Sequence, residues 1–388
     1  MWRLILFLVV FTAIYGSLHF YAFIKARKAF SMGPGGSILI ALFMAVMLFA
    51  PIIVRVMDRA GYDDVPRVLA FAGFIWMGFL FLFFCSSLVM DVWNLLVRAA
   101  ALILGTKSVS GLVPPRITFF VALLCAVTIT GYGYFQALDI RTRHITISSP
   151  KIPKEAGRIR VAQISDVHLG MIVGKARLQR ILDQVKAADP DIFVATGDLL
   201  DGQMDDVGGL MGLFQEVTPA YGKFAVTGNH ELYVGLERSL AFMAQAGFRV
   251  LRNEGIRIPG RITIAGVDDE GRGHQGMQSE ISDKAVLAKL PQEGFILFLK
   301  HRPELENNAL EYFDLQLSGH THGGQIFPFS LISKIFYPIG AGLYALEGPS
   351  YLYVSRGTGT WGPPIRFLAP PEVTIIDLIH GKEKTISD

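Results

Sequence analysis

The sequence has few charged residues and almost no cysteine for its length. Charged residues make up 18% of the 388 residues and apolar residues 51%, whereas soluble domains usually have about 25% charged residues. This deficit indicates that part of the chain lies in lipid. Cys85 and Cys125 are the only cysteines and both lie in apolar runs, so the redox compartment stays open. The net charge of +3 is too small to indicate a nucleic-acid partner, and none is expected.

Four apolar runs in the first third are long enough to cross about 30 Å of hydrocarbon as helices. They cover residues 2–24, 37–56, 68–90 and 117–138. None has a charged residue near its middle, which argues against an ion path or a proton relay. The shorter apolar stretch 92–104 is interpreted either as a helix lying in the interface or as an ordinary loop helix. We therefore predict an all-α, four-span membrane domain over residues 1–140, with the lipid bilayer as its partner.

Four spans place both chain termini on one side of the membrane, which we take to be the inner cell membrane. Eight basic residues flank the spans on the side of the C-terminal region, and six flank them on the other side. Cytoplasmic loops usually have the excess of basic residues. The count leans towards a cytoplasmic C-terminal region but leaves the side open, and the oligomeric state stays unknown.

After a basic segment, predicted as a linker over residues 141–157, the pattern changes to alternating strands and helices. Over residues 158–388, short apolar runs end in polar clusters, helical stretches follow several of them, and the tail is rich in strands. This alternation favours an α/β fold, an αββα sandwich built on sheets. Polar clusters at the C-terminal ends of strands are typical of ligand sites in layered α/β proteins.

The polar clusters consist of Asp, His and Asn. The candidate metal ligands are Asp166, His168, Asp198, Asn229, His301, His320 and His322. Residues i and i+2 of a strand face the same way, so we expect Asp166 and His168 to converge on one point. His320 and His322 do the same if the extended conformation continues past the strand. Seven nitrogen and oxygen ligands are too many for one tetrahedral ion and suit two divalent ions, Mn, Fe or Zn, that share a bridging carboxylate.

Two divalent cations in such a cluster predict phosphoryl chemistry. Ions about 3.5–4 Å apart hold a phosphoryl group and generate hydroxide at neutral pH. The hydroxide would attack phosphorus in line, and His230, beside Asn229, is placed to serve the leaving oxygen. Glycines precede Asp198, Asn229 and His320. A missing Cβ lets the backbone turn sharply and lets a ligand approach closely where strands deliver ligands.

The clusters follow one another as D-x-H, G-D, G-N-H-E, a single His and G-H-x-H. This order resembles the calcineurin-like metallophosphoesterase family over about residues 158–380. The segments 319–325 (GHTHGGQ) and 356–366, which ends in Pro-Pro-x-Arg, are similar to its bacterial membrane-associated branch.

The resemblance implies a phosphoester hydrolase with two metal sites and with His230 and Asp198 as catalytic residues. It implies that one metal is held by Asp166, His168, Asp198 and His322. It implies that the second is held by Asp198, Asn229, His301 and His320, so that Asp198 bridges the two.

Two further features concern the substrate. Arg356 and Arg366 flank a glycine-rich loop, and arginine forks suit phosphate oxygens, although an ordinary surface ion pair explains them equally well. The apolar stretch 326–346 is interpreted either as a rim that touches the bilayer or a lipid substrate, or as core beside the site.

Three functions follow as alternatives. The first is a phosphodiesterase or pyrophosphatase acting on a lipid-linked phosphate. The second is the same chemistry on a soluble, nucleotide-type substrate with the spans as a tether. The third is a non-enzymatic membrane protein whose metal site only holds structure.

Overall fold

The computed structural model describes residues 2–62, 64–106, 111–201, 208–269, 281–348, 350–382 and 385–387. The chain divides into two compact units. One comprises Met1–Phe135 and Gly362–Ile365, and the other comprises Gln136–Trp361 and Arg366–Asp388. The helices of the first unit are α1 (Trp2–Phe30), α2 (Pro34–Arg59), α3 (Asp64–Ile103) and α4 (Pro115–Leu138), whose last residues belong to the second unit.

Each of these four helices is long and apolar enough to cross a membrane, as predicted. The stretch 92–104 is neither an interfacial helix nor a loop helix of its own, because α3 continues through it to Ile103. No Gly or Pro lies between Met90 and Ile103 to end the helix. Within α3, Asp91 is held by polar partners on α1, accepting a hydrogen bond of 2.6 Å from the Tyr21 hydroxyl and pairing with Lys25.

The second unit contains two sheets. The strands of the first sheet are, in spatial order, β13 (Thr385–Ser387), β1 (Arg141–Ser149), β12 (Glu372–His380), β2 (Arg158–Ile164), β3 (Ile192–Thr196), β4 (Lys223–Val226) and β5 (Phe248–Val250). Those of the second are β10 (Gly342–Ala345), β11 (Tyr351–Val354), β9 (Leu315–Ser318), β8 (Ile296–Leu299), β7 (Thr263–Gly266) and β6 (Glu254–Arg257). The strands β2 to β5 are parallel to one another, as are β7, β8, β9 and β11.

Six α-helices of the second unit lie in the described residues. They are α5 (Lys175–Ala187), α6 (Met211–Gln215), α7 (Asn229–Val234), α8 (Leu236–Gln245), α9 (Asp283–Leu287) and α10 (Phe329–Phe336). Between the sheets, Val161 and Val194 of the first belong to one buried apolar cluster with Leu297 and Leu317 of the second. Separate clusters join the first sheet to α5, α6 and α8, and the second sheet to α9. The predicted αββα sandwich is confirmed.

The predicted linker over residues 141–157 is in large part a strand. β1 pairs in parallel with all nine residues of β12, from Arg141 opposite Glu372 to Ser149 opposite His380. Basic and polar residues at the start of β1 obscure the alternation of buried and exposed side chains. The alternation is visible only from Ile145 and Ile147, which are both buried. The first sheet of the second unit therefore starts almost directly after α4, at Arg141.

Candidate metal centre

The candidate ligands lie just beyond the C-terminal ends of five strands, of which β2, β3 and β4 are parallel in the first sheet and β8 and β9 in the second. Asp166 and His168 follow β2, Asp198 follows β3 and Asn229 follows β4 in the first sheet. His301 follows β8, while His320 and His322 follow β9 in the second sheet. Because the sheets pack face to face, their strand ends bring all seven side chains to one edge of the sandwich.

Five of these residues have a left-handed backbone. The φ angles are 53° at Asp166, 55° at His168, 51° at Asp198, 68° at His320 and 50° at His322. Asp166 and His168 were predicted to converge because they lie on an extended strand. The strand ends at Ile164, so their convergence has a different cause. Non-glycine residues adopt this conformation rarely and at a cost, which the surrounding hydrogen bonds must offset.

Two glycines are required by the closeness of these turns. A Cβ at Gly228 would collide with the carboxylate of Asp198, and a Cβ at Gly319 would collide with Ser165 and the carboxylate of Asp166. The predicted role of the glycines before the ligands is thus confirmed at both positions. It is close approach rather than a positive φ that excludes other residues, since neither glycine has one.

One group of candidate ligands consists of Asp166, His168 and His322, which are all buried. Nε2 of His168 lies 3.0 Å from Nε2 of His322, and Nε2 of His322 lies 3.5 Å from Oδ1 of Asp166. Neighbouring ligands of one ion at metal–nitrogen distances of about 2.0–2.1 Å lie about 3.0–3.4 Å apart. The spacing of the three atoms therefore fits a common ion.

A second group consists of Asp198, His301 and His320. Nδ1 of His320 lies 3.1 Å from Nε2 of His301, which lies 3.2 Å from Oδ2 of Asp198. Nδ1 of His301 donates to the Thr196 carbonyl at 2.8 Å, which leaves Nε2 as its ligand atom. His320 and His322 thus belong to different groups, and the expectation that they converge on one point is wrong.

Asp198 lies between the two groups. Its Oδ2 is 3.2 Å from Nε2 of His301 in one group and 3.9 Å from Nε2 of His168 in the other. Its Oδ1 accepts a hydrogen bond of 2.8 Å from the backbone N–H of His230. The carboxylate is thereby fixed in an orientation that faces both sets of imidazoles.

The chemistry of the donor set fits cations. Burial lowers the pKa of His168 to about 4 and that of His320 to about 2, so both rings are neutral and have lone pairs to offer. At His301 burial also opposes charge, but Asp198 more than offsets it and raises the pKa to about 10, which shows that the carboxylates favour a positive charge here. Among the described residues, Asn229 Oδ1 is a buried acceptor with no hydrogen-bond partner.

Comparisons with known proteins bear on this site. The sequence profile of the calcineurin-like phosphoesterases matches residues 159–324. A metallophosphoesterase of Aquifex aeolicus is 39% identical over 261 residues, which are 67% of this chain and 99% of that protein. The chain belongs to the calcineurin-like metallophosphoesterases.

Two other relatives in this family align with this chain over a smaller share of their own length. A metallophosphoesterase of Helicobacter pylori is 35% identical over 68% of this chain and 70% of its own. A transmembrane protein with a metallophosphoesterase domain from Danio rerio is 33% identical over 66% of this chain and 62% of its own. The resemblance stated from the motifs is thus confirmed, including relatives named as membrane proteins.

Glu231 holds two turns of the metallophosphoesterase site together through hydrogen bonds. The sequence suggested no role for this residue. The carboxylate is fully buried and accepts four backbone N–H groups. Oε2 accepts from Asp198 at 2.9 Å and Gly228 at 2.7 Å, and Oε1 from Leu199 at 2.9 Å and Leu200 at 3.2 Å. One side chain thus ties the turn after β3 to the turn after β4.

His230, predicted to serve the leaving oxygen, lies beside the candidate ligand His168. Nδ1 is 3.1 Å from Oδ1 of Asp201, and the ring packs edge-on against His168 with centroids 4.5 Å apart. Burial opposes charge on the ring, but Asp198 and Asp201 more than offset it and raise the pKa of His230 to about 9. Asp201 was missed from the sequence, where its place three residues after Asp198 was the available signal.

Two exposed aromatic side chains flank His230. The ring centroids of Tyr233 and Trp361 lie 5.3 Å and 5.9 Å from that of His230, and more than half of each side chain is exposed. Neither residue was singled out from the sequence, because aromatic residues without a polar motif resemble core.

A polar chain supports His320 from behind. Nε2 of His320 lies 2.8 Å from the Tyr337 hydroxyl, which accepts a 2.8 Å hydrogen bond from Arg302. Arg302 is held in turn by Asp269, with Nε 2.7 Å from Oδ2. Because Nε2 is engaged by Tyr337, Nδ1 is the ligand atom of His320.

The two arginines predicted to contact substrate occupy different environments. Arg356 pairs with Glu372 at 2.8 Å, and its side chain is 38% exposed. Arg366 is fully buried, and its guanidinium donates to the backbone carbonyls of Gly359, His322, Arg356 and Ala369. This placement differs from the predicted substrate contact, because the donors of Arg366 hold the chain around His322 instead of facing solvent.

Proposed function

We propose that the protein is a dinuclear, metal-dependent phosphodiesterase or pyrophosphatase that acts on a lipid-linked phosphate at the inner cell membrane. The observation that carries the dinuclear assignment is the position of Asp198 Oδ2 between two groups of imidazoles. In this assignment Asp166, His168, Asp198 and His322 hold one ion, and Asp198, Asn229, His301 and His320 hold the other. Two divalent cations supply positive charge for phosphoryl oxygens and favour ionisation of the attacking water.

His230 is the residue proposed to serve the leaving group. Asp201 engages Nδ1 at 3.1 Å, so Nε2 is the nitrogen left to meet a substrate oxygen. Asp201 fixes the orientation of the ring, as an outer carboxylate does for a working imidazole. A proton passed from Nε2 to the leaving oxygen would complete cleavage of the phosphorus–oxygen bond after the water has attacked.

The lipid-linked substrate is supported by the organisation of the chain. α4 ends at Leu138 and β1 starts at Arg141, so the catalytic sheet begins two residues after a helix able to span a membrane. The count of basic residues flanking the spans supports a multi-pass protein with the catalytic unit on the cytoplasmic side. A soluble substrate would not require a catalytic sheet that starts so soon after a membrane-spanning helix.

The number of ions is tested by elemental analysis of the purified full-length protein in its active form, together with titration of the metal-stripped protein. We expect two ions per chain, and hydrolysis of an aryl phosphodiester that returns only when the second equivalent is bound. Full activity with one equivalent would exclude the dinuclear mechanism.

The substrate class is tested by comparing the lipids of cells with and without the protein. We expect a phosphodiester- or pyrophosphate-linked lipid to accumulate when the protein is absent and to decline when it is restored. The same cells carrying the Asp198→Asn variant are the control, since that chain keeps the spans but lacks the proposed bridge. An unchanged lipid profile with altered soluble nucleotides would favour the tethered, soluble-substrate alternative.

A further inference from the structure

The helix α10 exposes most of its large apolar side chains. None of its eight residues is buried, although an ordinary surface helix turns an apolar stripe inwards. The large apolar side chains that it leaves exposed are Phe329, Leu331, Ile332, Ile335 and Phe336. Two of them are exposed by more than 70%, Ile335 at 74% and Phe336 at 72%. By contrast, α8, of ten residues, buries Ser239, Phe242 and Met243.

The helix is two-sided. Leu331, Ile332, Ile335 and Phe336 recur at spacings of one and four, which places them on one face. The opposite face holds Ser330, Ser333 and Lys334. Ser330 packs on the ligand loop, residues 319–325, because a Cβ at Gly324 would collide with the backbone of Ser330. The polar side of α10 therefore lies against the segment that carries His322, and the apolar side points away from it.

A lipid bilayer is the partner that best fits the apolar face of α10. Two residues separate the end of α4 at Leu138 from the start of β1 at Arg141, and the three Cα–Cα steps between them reach at most about 11 Å. Residues 326–346 include one lysine and no acidic residue, so nothing in the stretch repels anionic headgroups. A helix with a basic polar side and Phe, Leu and Ile on the other side is typical of helices that lie in the membrane interface.

The helix also leads directly into the metal centre. Tyr337 follows its last residue, and the Tyr337 hydroxyl lies 2.8 Å from Nε2 of the candidate ligand His320. The exposed side chain of Phe327 precedes the helix, four residues after Gly323 of the ligand loop. Both ends of α10 therefore connect to residues of the metal centre, and a lipid bound along the helix would lie next to that centre.

We propose that α10, together with Phe327, is a docking helix that inserts its apolar face into the bilayer at the rim of the metal centre. Insertion depends on the membrane attachment of the chain and not on which substrate is cleaved. Only its use, the delivery of a lipid phosphate to the site, rests on the proposed function.

Insertion is tested with the full-length protein in vesicles of phosphatidylcholine and phosphatidylglycerol. In a background of Cys85→Ser and Cys125→Ser, which removes both cysteines, Ile335→Cys is labelled with an environment-sensitive fluorophore. We expect a blue-shifted emission that lipids with brominated tails quench. Ala285→Cys, at an exposed position of α9, is the matched control and should be neither shifted nor quenched.

Two results would overturn insertion. One is a label at Ile335 that is as water-exposed as the label at Ala285→Cys. The other is a blue shift that rises with protein concentration but is not quenched by brominated lipid, because that result assigns the face to a second copy or another protein.

The use of the helix is tested by Ile335→Glu. We expect turnover of a phosphodiester lipid in vesicles to fall on the order of tenfold, since a carboxylate opposes insertion, while turnover of a soluble aryl phosphodiester stays within about twofold. Ala285→Glu is the control, because Glu at the third position after the Ser282 cap is favourable. Equal loss on both substrates would overturn the docking role. Quenching at Ile335→Cys, with no loss on either substrate in Ile335→Glu, would leave insertion standing and overturn the delivery role.

Discussion

The two units of the protein follow one physical rule with opposite outcomes. In the helices of the first unit, side chains such as Leu102 and Phe20 are largely exposed, as expected where lipid is the solvent. In the second unit many apolar residues form a buried core, and the buried polar residues include most of the candidate metal ligands. The comparison teaches that burial has to be judged against the solvent each unit meets, and α10 stands out because it has the first pattern within the second unit.

The largest expected effect tests whether the buried polar cluster of the second unit is a working site. Asp198→Asn should lower hydrolysis of an aryl phosphodiester by more than about 100-fold, because even outer-shell partners of metal ligands contribute 10–100-fold. Metal content, measured by elemental analysis, should fall as well. Asp377→Asn, on β12 and paired with Arg160, is the matched control and should keep activity and metal.

The next effect separates the two units. A chain that starts at Gln136 contains the whole second unit and should hydrolyse a soluble aryl phosphodiester within about threefold of the full protein. On a lipid ester in vesicles it should lose on the order of 100-fold, because tethering raises effective concentration by about 10²–10⁴. Kinetics on both substrates give the answer, and equal activity on vesicles would show that the spans are dispensable.

A smaller effect concerns the outer shell of the site. Asp201→Asn should lower kcat about tenfold through loss of the carboxylate that orients His230. Metal content should stay unchanged, since Asp201 is not among the candidate ligands. Steady-state kinetics with elemental analysis distinguish this from metal loss, and Asp201→Glu should recover part of the rate. A variant that lost its ions would contradict the orienting role.

The smallest effect concerns the stability of the second unit away from the site. The hydrogen bonds from Arg160 to Asp377, both 2.8 Å long, hold the pKa of this carboxyl below its usual range. Its contribution is therefore present above about pH 3.9, the ordinary value, and is lost as the pH falls through the lowered one. Asp377→Asn should cost about 1 kcal/mol in the free energy of unfolding at pH 7. Urea unfolding of the unit from Gln136 should show the difference between the two chains shrinking as the pH falls below about 3.9.

The strands that carry motifs were predictable from the sequence. The His and Asp residues of the two groups were all among the predicted candidate ligands. β2, β3 and β4 are short apolar runs that end in Asp, Gly-Asp or Gly-Asn-His, so local pattern and chemistry agreed. β1 was missed because its first residues are basic and its register depends on β12, more than 200 residues away. The end of the third span was misjudged because α3 continues with no helix-breaking residue past the apolar run.

The finer geometry of the centre could not be predicted for a related reason. The left-handed backbone at Asp166 and His168 is imposed by neighbouring turns and not by local preference, since neither residue is a glycine. Tyr337 supports His320 from the far end of an apolar stretch, where its hydroxyl gave no signal of a polar partner. Such contacts depend on tertiary structure alone.

The four N–H groups gathered by Glu231 have a consequence for how the enzyme gains and loses its ions. The turns after β3 and β4 are fastened to each other by the protein itself, and the sandwich behind them has its own apolar core. The cradle therefore exists before any ion arrives, unlike small zinc domains that fold only around their metal. A chelator should empty such an enzyme and leave it folded, and activity should return on remetallation without a refolding step, so that the supply of ions can act as a reversible control on the enzyme.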